Sequence, residues 1–207
     1  MERTIHRAQL ISFLFTALAG TLLHFLYDWF PDFPLTAAVS SVNESVWEHM
    51  KLLYFPMYAA ALVERPFLAP QRRNFWCIKL LGIVTGLLLI PALYYTYTGA
   101  LGIHLSWLDI SIYYISAAVV YLLETHLLLK DPHRPCRFAR AAMLLTLSLG
   151  FLFLFFTYFS PHLPIFQDPV TQTYGLPNVG LSMMCYREAK EDSTCFGERQ
   201  FSGLMGK

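Results

Sequence analysis

Charge is what this sequence has least of: only 14% of its 207 residues are Asp, Glu, Lys or Arg, where a soluble domain carries about a quarter. Apolar residues make up 56% and aromatics 16%, more than a water-facing outer layer around a core can absorb. The net charge is +1, and there is no basic stripe, zinc-finger spacing or Gly-rich phosphate loop. Nothing therefore points to a nucleic-acid partner. Four cysteines (Cys77, Cys136, Cys185 and Cys195) are too few and too scattered for a disulfide scaffold, although Cys185 and Cys195 share one tail and could pair there. The adjacent pair Glu48-His49 is not the H-E-x-x-H of metalloproteases, and no G-x-S-x-G elbow occurs. Any site must be argued from clustering.

What the sequence does have is long apolar runs. A bilayer core about 30 Å thick needs about 20 apolar residues in a helix. Four runs meet that length, at residues 8–27, 75–97, 105–129 and 138–159. A fifth, 52–63, reaches only roughly 18 Å at about 1.5 Å per residue. To cross, it must start near Glu44 or Ser45 and carry Glu48, His49 and Lys51 into the membrane's outer part; the rival is a re-entrant or interfacial segment. Loop charges decide for crossing. Arg3 and Arg7, then Arg65, Arg72 and Arg73, then Lys130, Arg134 and Arg137 occupy alternate connections, while residues 28–45 and 98–106 contain no Lys or Arg. That alternation fits the positive-inside rule only if the short run spans. The N-terminal run starts with basic residues and contains Ala17-x-Ala19, like a cleavable signal, but it continues through Leu22, Leu23, Phe25 and Leu26 and is read as a retained helix.

The expected fold is all-α: an integral membrane bundle of five transmembrane helices, N-terminus inside and C-terminal tail outside. Residues 1–177 form the membrane domain with an outer Pro-rich loop, and 178–207 a polar tail with no periodicity, read as disordered. Trp29, Trp47 and Trp107 mark outer helix ends and Trp76 an inner one. Pro56 and Pro91 should kink their helices, and Gly82-x-x-x-Gly86 reads as a packing face.

Under this topology the carboxylates and imidazoles gather at the outer face: His24, Asp28, Asp32, Glu44, Glu48, His49, His104, Asp109, His162 and Asp168, with Lys51 the one base among them. Ionisable groups at membrane depth are costly and mark candidate sites. His24 and Asp28, four apart, share a helix face and suit one metal ion or one hydrogen bond. Ser45-x-x-Glu48, Ser41-x-x-Glu44 and Ser106-x-x-Asp109 each read as a capping box, the plain explanation for their carboxylates. Capping does not explain His49 or Lys51. His162 and Asp168 lie in the loop Pro161-His162-Leu163-Pro164-Ile165-Phe166-Gln167-Asp168-Pro169, whose apolar residues suggest a lid folded back on the bundle. Glu124 and His126 read as structural, pairing with Arg140 or reaching the interface.

The strings His24-Phe25-Leu26-Tyr27-Asp28-Trp29, Asn43-Glu44-Ser45-Val46-Trp47-Glu48-His49-Met50-Lys51 and Tyr94-Tyr95-Thr96-Tyr97-Thr98-Gly99, with the loop that begins at Pro161, resemble a family of small bacterial membrane proteins defined as a domain of unknown function. The resemblance covers roughly residues 10–177 and implies the fold and a bacterial setting, but no activity. From the residues themselves, the leading expectation is a hydrolase of lipid or envelope substrates using Zn²⁺ or another divalent metal. His24, Asp28, Glu48, His49 and His162 would supply ligands, with Glu44 or Asp168 as general base. Two other functions fit the same residues. One is a proton or small-ion carrier using Glu44, Glu48, Lys51 and Glu124, which would need a homo-oligomer; the other is a non-catalytic scaffold subunit.

Overall fold

The computed structural model describes residues 2–30, 33–130 and 136–176, and the residues up to Gly175 form one compact unit. Asp32, Arg134, Pro177, the tail 178–207 and its Cys185 and Cys195 lie outside the described residues. Among the described residues, six α-helices and one 3-10 turn follow in order: α1 Glu2–Trp29, α2 Pro34–Val39, α3 Val46–Leu68, α4 Phe75–Leu101, α5 Ser106–Lys130 and α6 Ala139–Tyr158, then Pro164–Phe166. Among the described residues the nearest thing to a strand is one antiparallel bridge between Gln167 and Tyr174. Four helices (α1, α4, α5 and α6) are long and apolar enough to cross a membrane. The remaining long helix, α3, has 23 residues but carries Glu48, Lys51, Glu64 and Arg65.

That charged helix is the centre of the bundle. α3 packs against α1, α4, α5 and α6, and most of its residues are buried. It starts where its capping residue dictates: Ser45 is the N-cap and its hydroxyl accepts the Glu48 amide at 3.4 Å. The reciprocal half of the box is replaced. The Ser45 amide donates to Asn43 Oδ1, and the Glu48 carboxylate accepts the Val42 amide instead. At the far end of α4, Gly102 adopts a left-handed conformation (φ 65°) and its amide donates to the Thr98 carbonyl, which ends the helix.

α1 is inverted relative to a helix of a water-soluble protein. Its buried residues are Ile5, Gln9, Ser12, Thr16 and Gly20, while Leu10, Ile11, Leu14, Phe15, Leu18, Leu22 and Phe25 are exposed. The polar stripe recurs every three or four residues, so it forms a single face turned to the interior. Gly20 lets that face come close: a Cβ there would collide with the Tyr113 hydroxyl and sit 3.1 Å from the Leu52 carbonyl oxygen. Leu52 is four residues before Pro56, which has no amide hydrogen to offer it. The contact of α1 therefore falls where the α3 backbone has a carbonyl to spare.

The Gly82 and Gly86 face of α4 is used as its spacing suggests, but one of its partners is polar. Gly86 faces Leu53 and Val120, whereas Gly82 makes room for the Glu124 carboxylate. After α6, Phe166 inserts against Trp47 (4.6 Å between ring centroids) and Phe156 (5.4 Å), while Leu163 stays exposed. Asn43 donates to the Gly175 carbonyl, so the loop is held onto the segment that precedes α3. Cys77, near the start of α4, is bonded to Cys136, just before α6. One covalent tie is thus present, short of a scaffold.

Candidate functional site

The segment before α3 brings together three side chains of the kinds that can ligate a metal. His24 lies in the last turns of α1, Glu44 immediately precedes the Ser45 cap, and His49 sits in the first turn of α3. His24 Nε2 is 3.6 Å from Glu44 Oε1, and His49 Nε2 is 3.7 Å from Glu44 Oε2. The candidate ligand atoms of all three lie within 4.8 Å of one another. Their side chains are 27%, 46% and 15% exposed respectively, so the cluster opens outward on the Glu44 side.

The second nitrogen of His49 is already committed. His49 Nδ1 lies 3.0 Å from the Ser45 carbonyl oxygen, one turn back along the chain. A carbonyl can only accept, so Nδ1 carries the hydrogen, and in the neutral ring the Nε2 lone pair faces Glu44. A backbone carbonyl behind a metal-binding histidine is the usual means of holding its tautomer and ring plane. Ser45 thus caps α3 through its side chain and orients His49 through its main chain.

Two small cavities border the cluster. One is lined by Glu44, Val46, His49, Ile90, Tyr94, Asp109, Ile112 and Tyr113. The other, of about 80 Å³, lies between α1 and α5 and is lined by Gly20, His24, Phe25, His49, Leu52 and Tyr113 among others. Asp109 in the first cavity is held on both oxygens: Tyr97 donates to Oδ1 at 2.6 Å, and His104 Nε2 lies 2.6 Å from Oδ2. Beyond the cluster, an open apolar groove of about 610 Å³ runs between α1 and α3, from Phe15 and Ala19 to Trp29 and from Phe55 to Leu62.

The other residues singled out from sequence lie elsewhere. Asp28 is exposed, and its charge acts on His24 through space, but it is not part of the three-donor cluster. Glu48 turns away from His49 and forms a buried ion pair with Lys51 at 2.6 Å, while also accepting the Val42 amide. Lys51 donates further to the Ala37 carbonyl and the Thr157 hydroxyl. His162 packs on the Tyr174 ring at 4.7 Å. Asp168 caps its own turn, accepting the Val170 and Thr171 amides at 2.7 and 3.2 Å. Glu44 is no helix cap: Ser41 bonds the Asn43 carbonyl, and the Glu44 carboxylate faces the two histidines.

Sequence reasoning missed a second polar centre. Glu64, Lys79 and Glu124, from α3, α4 and α5, form a buried triad with Lys79 Nζ 2.6 Å from Glu64 and 2.5 Å from Glu124. Glu124 therefore pairs within the bundle, and Arg140, its expected partner, is exposed. The available signal was the spacing of Gln9, Ser12 and Thr16 along the first run together with a lysine inside the third.

Comparison with known proteins defines the class before any activity: the model of a family of unknown function, DUF6512, matches residues 2–176. The chain belongs to that family. No curated protein and no solved structure matches it.

Proposed function

We propose that this chain is a five-span protein of a bacterial inner membrane that hydrolyses lipid-like substrates at a divalent metal centre made by His24, Glu44 and His49. The observation that carries the reading is the convergence of those three side chains, with His49 Nε2 left as an acceptor by the Ser45 carbonyl. Two histidines and one glutamate are a donor set that catalytic zinc sites use, leaving a position for water or substrate. A bound ion of this kind supplies Lewis-acid polarisation of a carbonyl or phosphoryl oxygen and makes water more acidic.

The chain's own residues then take defined parts. His24 and His49 hold the centre from two helices, and Glu44 closes it from the connection between them. Asp109 lines the same cavity as Glu44 and His49 and serves as the base that accepts a proton from the attacking water. Tyr97 and His104 keep its carboxylate in place. The apolar linings of the neighbouring cavity and of the groove between α1 and α3 suit acyl chains.

In this reading α3 is the fifth crossing, and the Lys/Arg-poor end that holds the cluster faces outward. The test is purified protein in phospholipid vesicles with added Zn²⁺, assayed for release of fatty acid or phosphorylated headgroup. Metal-dependent release that a chelator removes, and that Asp109→Asn lowers by about 100-fold or more, is the expected result. Tight metal binding without hydrolysis of any vesicle lipid would contradict the hydrolase reading.

A further inference from the structure

The buried triad at the other end of α3 carries an unbalanced charge. Glu64 accepts four contacts from three donors: Ser12 Oγ at 2.5 Å, Gln9 Nε2 at 3.2 and 3.1 Å on its two oxygens, and Lys79 Nζ at 2.6 Å. That shell suits an ionised carboxylate. Glu124 is different. Lys79 bonds its Oε2, but its Oε1 has no hydrogen-bond partner among the described residues and lies against Gly82, wholly out of contact with solvent. Two carboxylates share one ammonium group. If all three were ionised, a net negative charge would stand in a site sealed by four helices, at a cost of several kcal/mol.

We propose that the triad is a proton-binding site: one proton resides on Glu124, and Lys79 with Glu64 forms the ion pair beside it. Two carboxylates in one buried site hold a shared proton for the same electrostatic reason wherever they meet. The charged groups at the site are Glu64 from α3, Lys79 from α4 and Glu124 from α5. Gln9 and Ser12 face it from α1, and the Tyr121 ring lies 5.6 Å from Lys79 Nζ. The other buried carboxylate–lysine pair described, Glu48 with Lys51, is balanced one to one.

Next to this site, polar groups meet along the buried face of α1. The Tyr121 and Thr16 hydroxyls are 2.7 Å apart, and Tyr113 donates to the Thr16 carbonyl at 2.7 Å. Tyr113 in turn lines both cavities beside His49. Polar groups thus stand between the triad and the outer cluster along this face. The proposal stands whether or not a metal occupies that cluster.

The test is infrared spectroscopy of the full chain in lipid, reading the carbonyl stretch of a protonated carboxyl group. At neutral pH the wild-type protein should show one such group. Glu124→Gln should remove it while leaving the helical circular dichroism and the thermal midpoint close to wild type, because the amide replaces a neutral acid. Glu64→Gln should remove it as well, since Lys79 then faces a single carboxylate, and this variant serves if the first does not fold. Tyr121→Phe should slow the deuterium shift of the band. A wild-type protein without the band at neutral pH, or a band of unchanged size in both glutamine variants, would overturn the proposal.

Discussion

His49 is set apart from His24 and His162 by its hydrogen bond to the carbonyl one turn behind it. A side chain held that way loses little freedom when its free nitrogen takes a ligand, which is the condition a metal site needs. Lys79 is a different case, because its role is electrostatic and internal. Among the described residues it is the one cation paired with Glu64 and Glu124, both buried. Lys79→Met should therefore destabilise the bundle by about 3–5 kcal/mol, since it leaves the ionised Glu64 beside Glu124 without a counter-charge. Arg65→Ala, on the exposed side of the same end, should change stability by less than about 0.5 kcal/mol. Thermal unfolding in one detergent compares the two, and equal effects would mean that the triad is not the electrostatic centre of that end.

Helices carry the next level of constraint. The interface between α1 and α3 depends on the absence of a side chain at Gly20, where Tyr113 and the Leu52 carbonyl press in. Gly20→Leu should cost about 1–3 kcal/mol by overpacking and should displace the Tyr113 hydroxyl from Thr16; a variant as stable as wild type would show that the approach is looser than described. The same helices show which parts of the fold could be read from sequence. The start of α3 was legible because Ser45 and Glu48 are close in the chain and a helix cap is a local device. The ends of α5 and α6 fall within a residue of their apolar runs for the same reason. α2 was not legible: six residues beginning with Pro34 give no period to detect. Glu64, Lys79 and Glu124 lie on three helices, so their meeting depends on the rotation of each helix about its axis, which no local pattern contains. Glu48 and His49 show the same limit at the site. They are adjacent in sequence but on different sides of α3, one turned to Lys51 and the other to Glu44.

For the whole molecule, sidedness is where two physical indicators point in opposite directions. Under the proposed topology, Lys and Arg in alternate connections would put the Arg65 to Arg73 end inside. The bond between Cys77 and Cys136 lies at that same end, and disulfides are rare in a reducing cytosol. We follow the charge distribution, because three basic segments alternate with two that have no Lys or Arg, whereas the bond is one pair. In a Cys185→Ser, Cys195→Ser background treated with a permeant reductant, a permeant maleimide should label Cys77 and Cys136 in intact cells. An impermeant one should not. Labelling by the impermeant reagent would turn the bundle over and put the His24, Glu44 and His49 cluster at the cytoplasmic face.

The metal centre is open to elemental analysis of protein purified without chelator. The wild-type protein, His24→Ala and His49→Ala should be compared at equal helical content. The wild type should carry about one equivalent of zinc or another divalent transition metal per chain, and both variants should lose it. Wild-type protein that carries no metal and takes up none on titration, or metal retained equally in both variants, would contradict the metal centre.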